Sequence, residues 1–411
     1  MLLRTTGQKV SLVGLPRPLG RSLVVITLLI AVCSGCKSPG TARKLARERW
    51  SKASARIKLG MAQQQYDQGR YEQATTTVRQ SIQADPEFTL AHLLLGKLLL
   101  VQGDVDAAVA ELKAVVQIEP ALDEAWYWLG VSAQHYQDNE QAYAYYQKAL
   151  SLKPIDVDYI LAVAEVLVAQ NKPEQAAAFL ESKALVLPQE ISLHVATADL
   201  MSRLARYERA IQLYRKAALM TSDNADIFES LAYCNMFSGN WALAADVFAE
   251  LAKDSKDEHK NKIYLEAEAL CSMNSDQYDR AVNCYHKLGR RQGDSAETWV
   301  KMGQAALGAG IPHRALRCAR EALVLQPDYT DAVALLGSAL YASGEFEAAL
   351  QTFDRLTCDS PGGAFCWLMK ARCYEKLGQQ EEAQQAYDRA RQIDPGSRLG
   401  NLLAGGNEQK S

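Results

Sequence analysis

The apolar positions of this 411-residue chain recur in a fixed frame of 34 residues. Frames drawn at 55–88, 89–122, 123–156, 157–190, 191–224, 225–258, 262–295, 296–329, 330–363 and 364–397 return the same kinds of side chain at the same places. Position 20 is alanine in all ten frames, from Ala74 and Ala108 to Ala349 and Ala383. Position 8 is always Gly or Ala, as in Ala62, Gly96, Gly130 and Gly337. Bulky groups recur at position 4 (Trp126, Phe228, Trp299, Trp367) and aromatic groups at position 24 (Tyr146, Tyr214, Phe248, Tyr285, Phe353, Tyr387). Alternating small and large groups let helices approach closely and interdigitate without voids. The pattern therefore predicts two antiparallel helices per frame, with the small positions 8 and 20 facing one another at the crossing.

Helix breakers punctuate the same frame. Gly69, Gly103, Gly239, Gly310, Gly344 and Gly378 stand at position 15, where the first helix must stop and a left-handed residue is useful. Pro86, Pro120, Pro154, Pro188, Pro327, Pro361 and Pro395 stand at position 32, beyond a second helix they cannot continue. Pro188 and Pro327 are 139 residues apart, four frames plus three, so a three-residue insert falls at 259–261. A 34-residue two-helix period is the signature of stacked repeats. The segment Asp123–Gly130 carries Trp126, Leu129 and Gly130 at positions 4, 7 and 8, with Ala142 at 20 and Pro154 at 32. These residues resemble the tetratricopeptide repeat, and the resemblance covers residues 55–397. It implies an all-α fold, a right-handed superhelical solenoid of about ten two-helix repeats, and binding of protein or peptide segments on a concave face.

Charge is unevenly spread. Residues 1–35 hold four basic residues and no acids, residues 37–58 hold eight basic residues against Glu48 alone, and residues 59–411 hold 33 basic and 47 acidic residues. An acidic repeat array argues against nucleic acid as a partner, since phosphate binding needs a clustered positive surface. The apolar run Leu23–Val32 follows Arg17 and Arg21. As a helix it would rise only ~15 Å, half of a ~30 Å bilayer core, so it reads as the apolar part of a signal peptide. Cys33-Ser34-Gly35-Cys36 then resembles a bacterial lipobox. That resemblance implies diacylation of Cys36, a mature chain beginning there, and, with Lys37 next, sorting to the outer membrane facing the periplasm. Ordinary cleavage near Ala31–Gly35 and an uncleaved anchor are the alternatives. The expected organisation is a signal peptide at 1–35, the lipidated Cys36 with a basic linker to 54, repeats over 55–397, and a capping tail at 398–411.

No reactive constellation emerges from the repeats. His92 and His194 occupy position 4, the bulky packing slot, and read as structural; His135, His259, His286 and His313 lack metal-type spacing. No Gly-x-x-x-x-Gly-Lys phosphate loop is present. With the chain consumed by repeats, neither an enzyme nor a bound cofactor is expected. Cys234, Cys271 and Cys373 share position 10, and Cys284 and Cys318 share position 23. Equivalent sites on packed helices lie ~8–10 Å apart, beyond the ~7 Å reach of a disulfide, so these read as small buried apolar residues. Cys358 and Cys366 flank a Pro-Gly-Gly turn and could meet in a disulfide in an oxidising compartment.

In the family that the chain resembles, positions 2, 5, 6, 9, 12 and 13 of the first helix line the concave groove. Here they give Leu90, Leu93, Leu94, Lys97, Leu100 and Val101 in the second frame, and Tyr127, Trp128, Val131 and His135 in the third. A smaller cluster, Tyr233, Met236, Phe237, Leu270 and Met273, falls in the sixth and seventh. Apolar groups on such a wall imply an anchor for an extended segment or helix; burial against neighbouring helices is the competing reading. The sequence thus points to a membrane-anchored scaffold or adaptor of an envelope assembly such as a pilus, secretion or polysaccharide-export machine. A periplasmic chaperone for unfolded clients, or a regulatory subunit of an envelope enzyme, are the alternatives.

Overall fold

A computed structural model describes residues 39–222, 224–292, 295–356 and 363–394. The described residues are all-α, with no strand among them. The chain divides into two compact units, residues 1–170 and 171–411, and the boundary falls inside the fourth frame, between its two helices.

The first unit contains α1 (Pro39–Asp67), α2 (Tyr71–Ala84), α3 (Thr89–Val101), α4 (Val105–Ile118), α5 (Asp123–His135), α6 (Asn139–Leu152) and α7 (Val157–Ala169). Consecutive helices pack as antiparallel hairpins, and each hairpin's first helix also touches that of the next. Helix α1 runs without a break through residues 39–54, so the basic segment ahead of the first frame is helical from Pro39 and continuous with the first repeat. Ser81 Oγ donates to Ala55 O at 2.7 Å, fastening α2 to the middle of α1.

The second unit contains α8 (Pro173–Val186), α9 (Ile191–Arg203), α10 (Tyr207–Ala218), α11 (Ala225–Phe237), α12 (Trp241–Asp254), α13 (Glu258–Asn274) and α14 (Tyr278–Gln292). It continues with α15 (Ala296–Gly308), α16 (Pro312–Leu325), α17 (Thr330–Ala342), α18 (Phe346–Phe353), α19 (Ala364–Lys376) and α20 (Gln380–Ile393). The insert at 259–261 is absorbed by α13, which starts early and spans 17 residues without disturbing the stack. Arg280 ties three elements of this unit, pairing with the buried Glu268 at 2.8 Å and Asp246 at 2.6 Å and donating to Ala245 O at 2.8 Å.

Each turn is built from the residue pair at positions 15 and 16. All ten position-15 residues have positive φ, the six glycines and also Gln137, Asn171, Ala205 and Asp276. That conformation lets the next N–H reach back over the helix end, as Asp104 N does to Leu99 O (2.9 Å) and Asp138 N to Ala133 O (3.0 Å). The same aspartates then cap the second helix, accepting from Ala107 N at 3.2 Å and Gln141 N at 3.0 Å. The position-32 proline also does more than stop a helix. Its carbonyl accepts from the position-4 ring of the next frame: His92 Nε2 to Pro86 O (2.9 Å), Trp126 Nε1 to Pro120 O (2.9 Å) and His194 Nε2 to Pro188 O (3.0 Å). His92 and His194 are thus structural, as expected.

The position-20 alanines are buried throughout, and the small position 8 takes a large neighbour. A Cβ on Gly96, Gly130 or Gly337 would run into Leu112, Tyr146 or Phe353, the position-24 side chain of the same hairpin. The large-into-small contact in these three repeats is 8 against 24, whereas a Cβ on Gly303 would meet Leu335 of the next repeat and Cys318. This adds a partner to the expected pairing, because position 24 lies one turn beyond position 20 and its side chain leans back over the crossing.

Candidate functional site: an apolar cavity in the repeat groove

The first unit holds a cavity of about 550 Å³ on the face formed by the first helices of its repeats. Arg56, Leu59, Gly60 and Gln63 of α1 form one wall, at positions 2, 5, 6 and 9 of their frame. Leu90, Leu93, Leu94 and Lys97 of α3 supply the same four positions of the next, with Phe88 and Glu124 closing the ends. Helical spacing puts these residues on one stripe of each helix.

Gly60 leaves the α1 wall of the cavity open. Position 6 carries Leu94 and Trp128 in the following frames, whereas nothing lies within 4 Å of a Cβ built on Gly60. A mid-helix glycine costs roughly 1 kcal/mol relative to alanine, and here it opens space at the groove floor. The rim is charged. Lys97 forms an ion pair with Glu124 and lies 5.5 Å from the Trp128 ring centroid, while Trp128 Nε1 donates to Glu124 Oε1 at 3.4 Å. Arg56 is exposed beside the cavity.

The sequence-predicted groove residues divide by environment. Leu93, Leu94 and Leu100 are buried, with Leu93 and Leu94 belonging to the core that also floors the cavity. Leu90 and Val101 are exposed, at 45% and 47%. Tyr127 is half-buried, stacked on Tyr159 (5.1 Å) and tilted against Tyr146 (5.4 Å). Burial, followed by the nearby Asp158 and Glu165 carboxylates, pushes its phenol above the ordinary value. Trp128 and Val131 are half-buried against the same core, and His135 is exposed at the end of α5. Arg56, Leu59, Gly60, Gln63, Phe88 and Glu124 were not anticipated; the isolated glycine at position 6 was the available signal. In the smaller cluster, Phe237 is exposed and stacks on Tyr207 at 5.7 Å, and Leu270 is exposed.

Cys36 and Cys358 lie outside the described residues. Cys366 is buried and disulfide-bonded. Cys234, Cys271, Cys284, Cys318 and Cys373 are buried free thiols. Among the described residues, no His, Cys, Asp and Glu cluster is arranged to hold a metal ion, and no helix is long and apolar enough to cross a membrane.

Paired helices closed by a left-handed residue, a buried alanine at position 20 and a groove of first helices define a helical-repeat protein. Sequence models of the tetratricopeptide repeat match residues 59–123, 123–156 and 195–258, and the middle TPR-like domain of cilia and flagella-associated protein 70 matches residues 277–394. The chain belongs to the tetratricopeptide-repeat family. Among characterised relatives, the CTR9 homolog of Arabidopsis thaliana is 34% identical over 121 residues, 29% of this chain and 11% of that protein. The TPR repeat-containing protein YpiA of Bacillus subtilis is 25% identical over 270 residues, 65% of this chain and 63% of that one. The chain thus spans less than two thirds of the length of these relatives. Among solved structures, PilF of Pseudomonas aeruginosa (18% identity, TM-score 0.44) covers 52% of this chain with 97% of its own length. PilW, a type IV pilus biogenesis factor, covers 51% with 98% of its own (19% identity, TM-score 0.45).

Proposed function

We propose that this chain is an interaction scaffold, held at the membrane of a bacterial envelope by a lipid on Cys36, which captures a partner segment in the groove of its first three repeats. The single observation carrying the groove reading is the cavity of about 550 Å³ that Gly60 opens between α1 and α3. Leu59, Phe88, Leu90, Leu93 and Leu94 offer an apolar floor, and Arg56 and the Lys97–Glu124 pair a polar rim. That combination suits one or two apolar side chains projecting from an extended or helical segment whose backbone lies along the rim. The apolar run Leu23–Val32 and the Cys33–Cys36 segment support export and anchoring, and anchoring raises the local concentration of whatever the groove holds. Outer-membrane residence facing the periplasm, a role in an envelope assembly, and pairing of Cys358 with Cys366 belong to the same proposal.

The test is capture of partners from envelope extracts by the wild type and by Gly60→Leu. The new side chain enters open space, so it fills the cavity without displacing packed atoms. The proposal expects one or two discrete partners that are lost from the variant. Undiminished capture by Gly60→Leu would place binding elsewhere, and a broad set of unfolded clients would favour the chaperone reading. Cys36→Ala tests the anchor separately, and unchanged membrane fractionation would remove it.

A further inference from the structure

The outer face of α1 breaks the burial pattern that the next four repeats keep. Positions 3 and 7 are buried where a preceding repeat packs on them: Ala91 and Leu95, Ala125 and Leu129, Tyr159 and Val163, Leu193 and Thr197. In the first repeat the same positions are Ile57 and Met61, exposed at 66% and 52%. Trp50, seven residues before Ile57 on the same helix, is exposed at 76%. Spacings of seven and four residues place Trp50, Ile57 and Met61 on one stripe. Arg43 and Arg47, seven and three residues before Trp50, border that stripe. Helix α1 carries seven basic residues against Glu48 and Asp67. None of Arg43, Lys44, Arg47, Arg49 and Lys52 forms an ion pair among the described residues, and all five are exposed. Exposed aromatic and aliphatic side chains beside unpaired cations can enter a bilayer interface while the cations meet lipid phosphates.

We propose that this face of α1 docks on an anionic lipid surface, with Trp50, Ile57 and Met61 at the boundary of headgroups and acyl chains and Arg43 and Arg47 among the phosphates. Two observations select this occupant. Charge complementarity is one: a second copy would bring two strongly basic helices together, and residues 1–38 carry only basic charges, so neither covers the face without like-charge repulsion. The chain leading into α1 is the other. Six residues separate Val32 from Pro39, a reach of at most ~20 Å, so a membrane-bound Leu23–Val32 or a lipidated Cys36 delivers α1 to the headgroups. This second point rests on the anchor proposed above. The docked helix would present the first repeat end-on to the membrane, leaving the Gly60 wall of the groove on a different face of α1.

The experiment uses the full chain carrying Cys36→Ala, sedimented with neutral phosphatidylcholine vesicles and with vesicles containing one-third phosphatidylglycerol. Hydrophobic retention through Leu23–Val32 is the same on both vesicles, and the cations of residues 1–38 are common to parent and variant, so the change in the affinity ratio on substitution isolates α1. The expected result is tighter binding to the anionic vesicles, with that preference falling roughly fivefold per removed charge in Arg43→Gln/Arg47→Gln/Trp50→Ser. These residues are exposed, so the circular-dichroism melt of the variant should match its parent. Equal binding to both vesicles, or a preference that the triple change leaves unaltered, overturns the proposal. A concentration-dependent dimer that Ile57→Asp dissolves would assign the face to a second copy and overturn it as well. Loss of the Cys36 anchor alters retention on both vesicles alike and leaves the ratio intact, so the two failures are distinguishable.

Discussion

Gly130→Ala tests whether contact between positions 8 and 24 sets the helix spacing. A Cβ at Gly130 would lie 2.4, 2.6 and 2.9 Å from Cε1, Cδ1 and Cζ of Tyr146. The ring has nowhere to go: Tyr146 is 1% exposed, packs on Tyr127, and its hydroxyl donates to Gln134. Alanine within a helix otherwise gains about 1 kcal/mol over glycine. Forcing a methyl group against three ring atoms falls at the upper end of overpacking costs, about 3 kcal/mol. The net expectation is a loss of about 2 kcal/mol. The first repeat supplies a compatible pair, Ala62 with Val78. In a Tyr146→Val background Gly130→Ala should therefore become stabilising by up to about 1 kcal/mol, a coupling of about 3 kcal/mol. Ala198 and Tyr214 coexist in the fifth repeat, so the clash belongs to the close spacing of α5 and α6 and not to the residue types alone. Repeat arrays open in parts, so the quantity to measure is the hydrogen-exchange opening free energy of α5 and α6 in all four variants. A neutral Gly130→Ala in the wild-type background, or equal effects in both backgrounds, would refute the reasoning.

The remaining predictions concern turns and thiols. Ala205 has φ 56° where six other repeats use glycine; Ala205→Gly should relieve about 1–2 kcal/mol of left-handed strain, offset in part by chain entropy, and raise the thermal midpoint of the second unit. Burial pushes the Cys271 and Cys373 thiols up to about 11 and Cys284 to about 12, from an ordinary value of 9.0. Because the folded chain holds these protons more tightly, their stabilisation is complete below pH 9.0 and is lost as pH rises toward 11–12. Urea melts should accordingly show constant stability below that point and a decline above it, and the native thiols should resist Ellman's reagent at neutral pH. In a Cys33→Ser/Cys36→Ser chain, denaturation without reductant should expose five thiols; seven would rule out a Cys358–Cys366 bridge.

Much of the fold was legible because its constraints are local and repeat ten times. A left-handed residue at position 15 must end a helix whether glycine supplies it or, as at Gln137, Asn171, Ala205 and Asp276, another residue pays the strain. Those four sites carry no sequence signal alone, and only the frame locates them. The pairing of positions 8 and 24 was not legible, because it depends on the direction in which a side chain leans from its helix. The groove was legible as a set of positions but not as a surface. Leu93 and Leu94 occupy groove positions and are nevertheless buried, because α1 and α5 flank α3 on both sides. The open space came from a side chain that is missing, at Gly60, and residue type alone does not distinguish a cavity from a tolerated helix glycine. The exposed stripe on α1 was hidden for the opposite reason. Ile57 and Met61 look like core residues in the frame, and their exposure follows from their place in the first repeat.

The central claim, that partners bind in the Gly60 groove, is tested most directly by photo-crosslinking from two exposed positions. Leu90 borders the cavity, whereas Leu219, exposed at 89% just beyond α10, lies outside it. A photoreactive residue at 90 should yield one or two discrete protein adducts that vanish when Gly60→Leu is added, while the same residue at 219 yields none of them. Adducts formed equally from both positions, or persisting from position 90 with the cavity filled, would contradict the account.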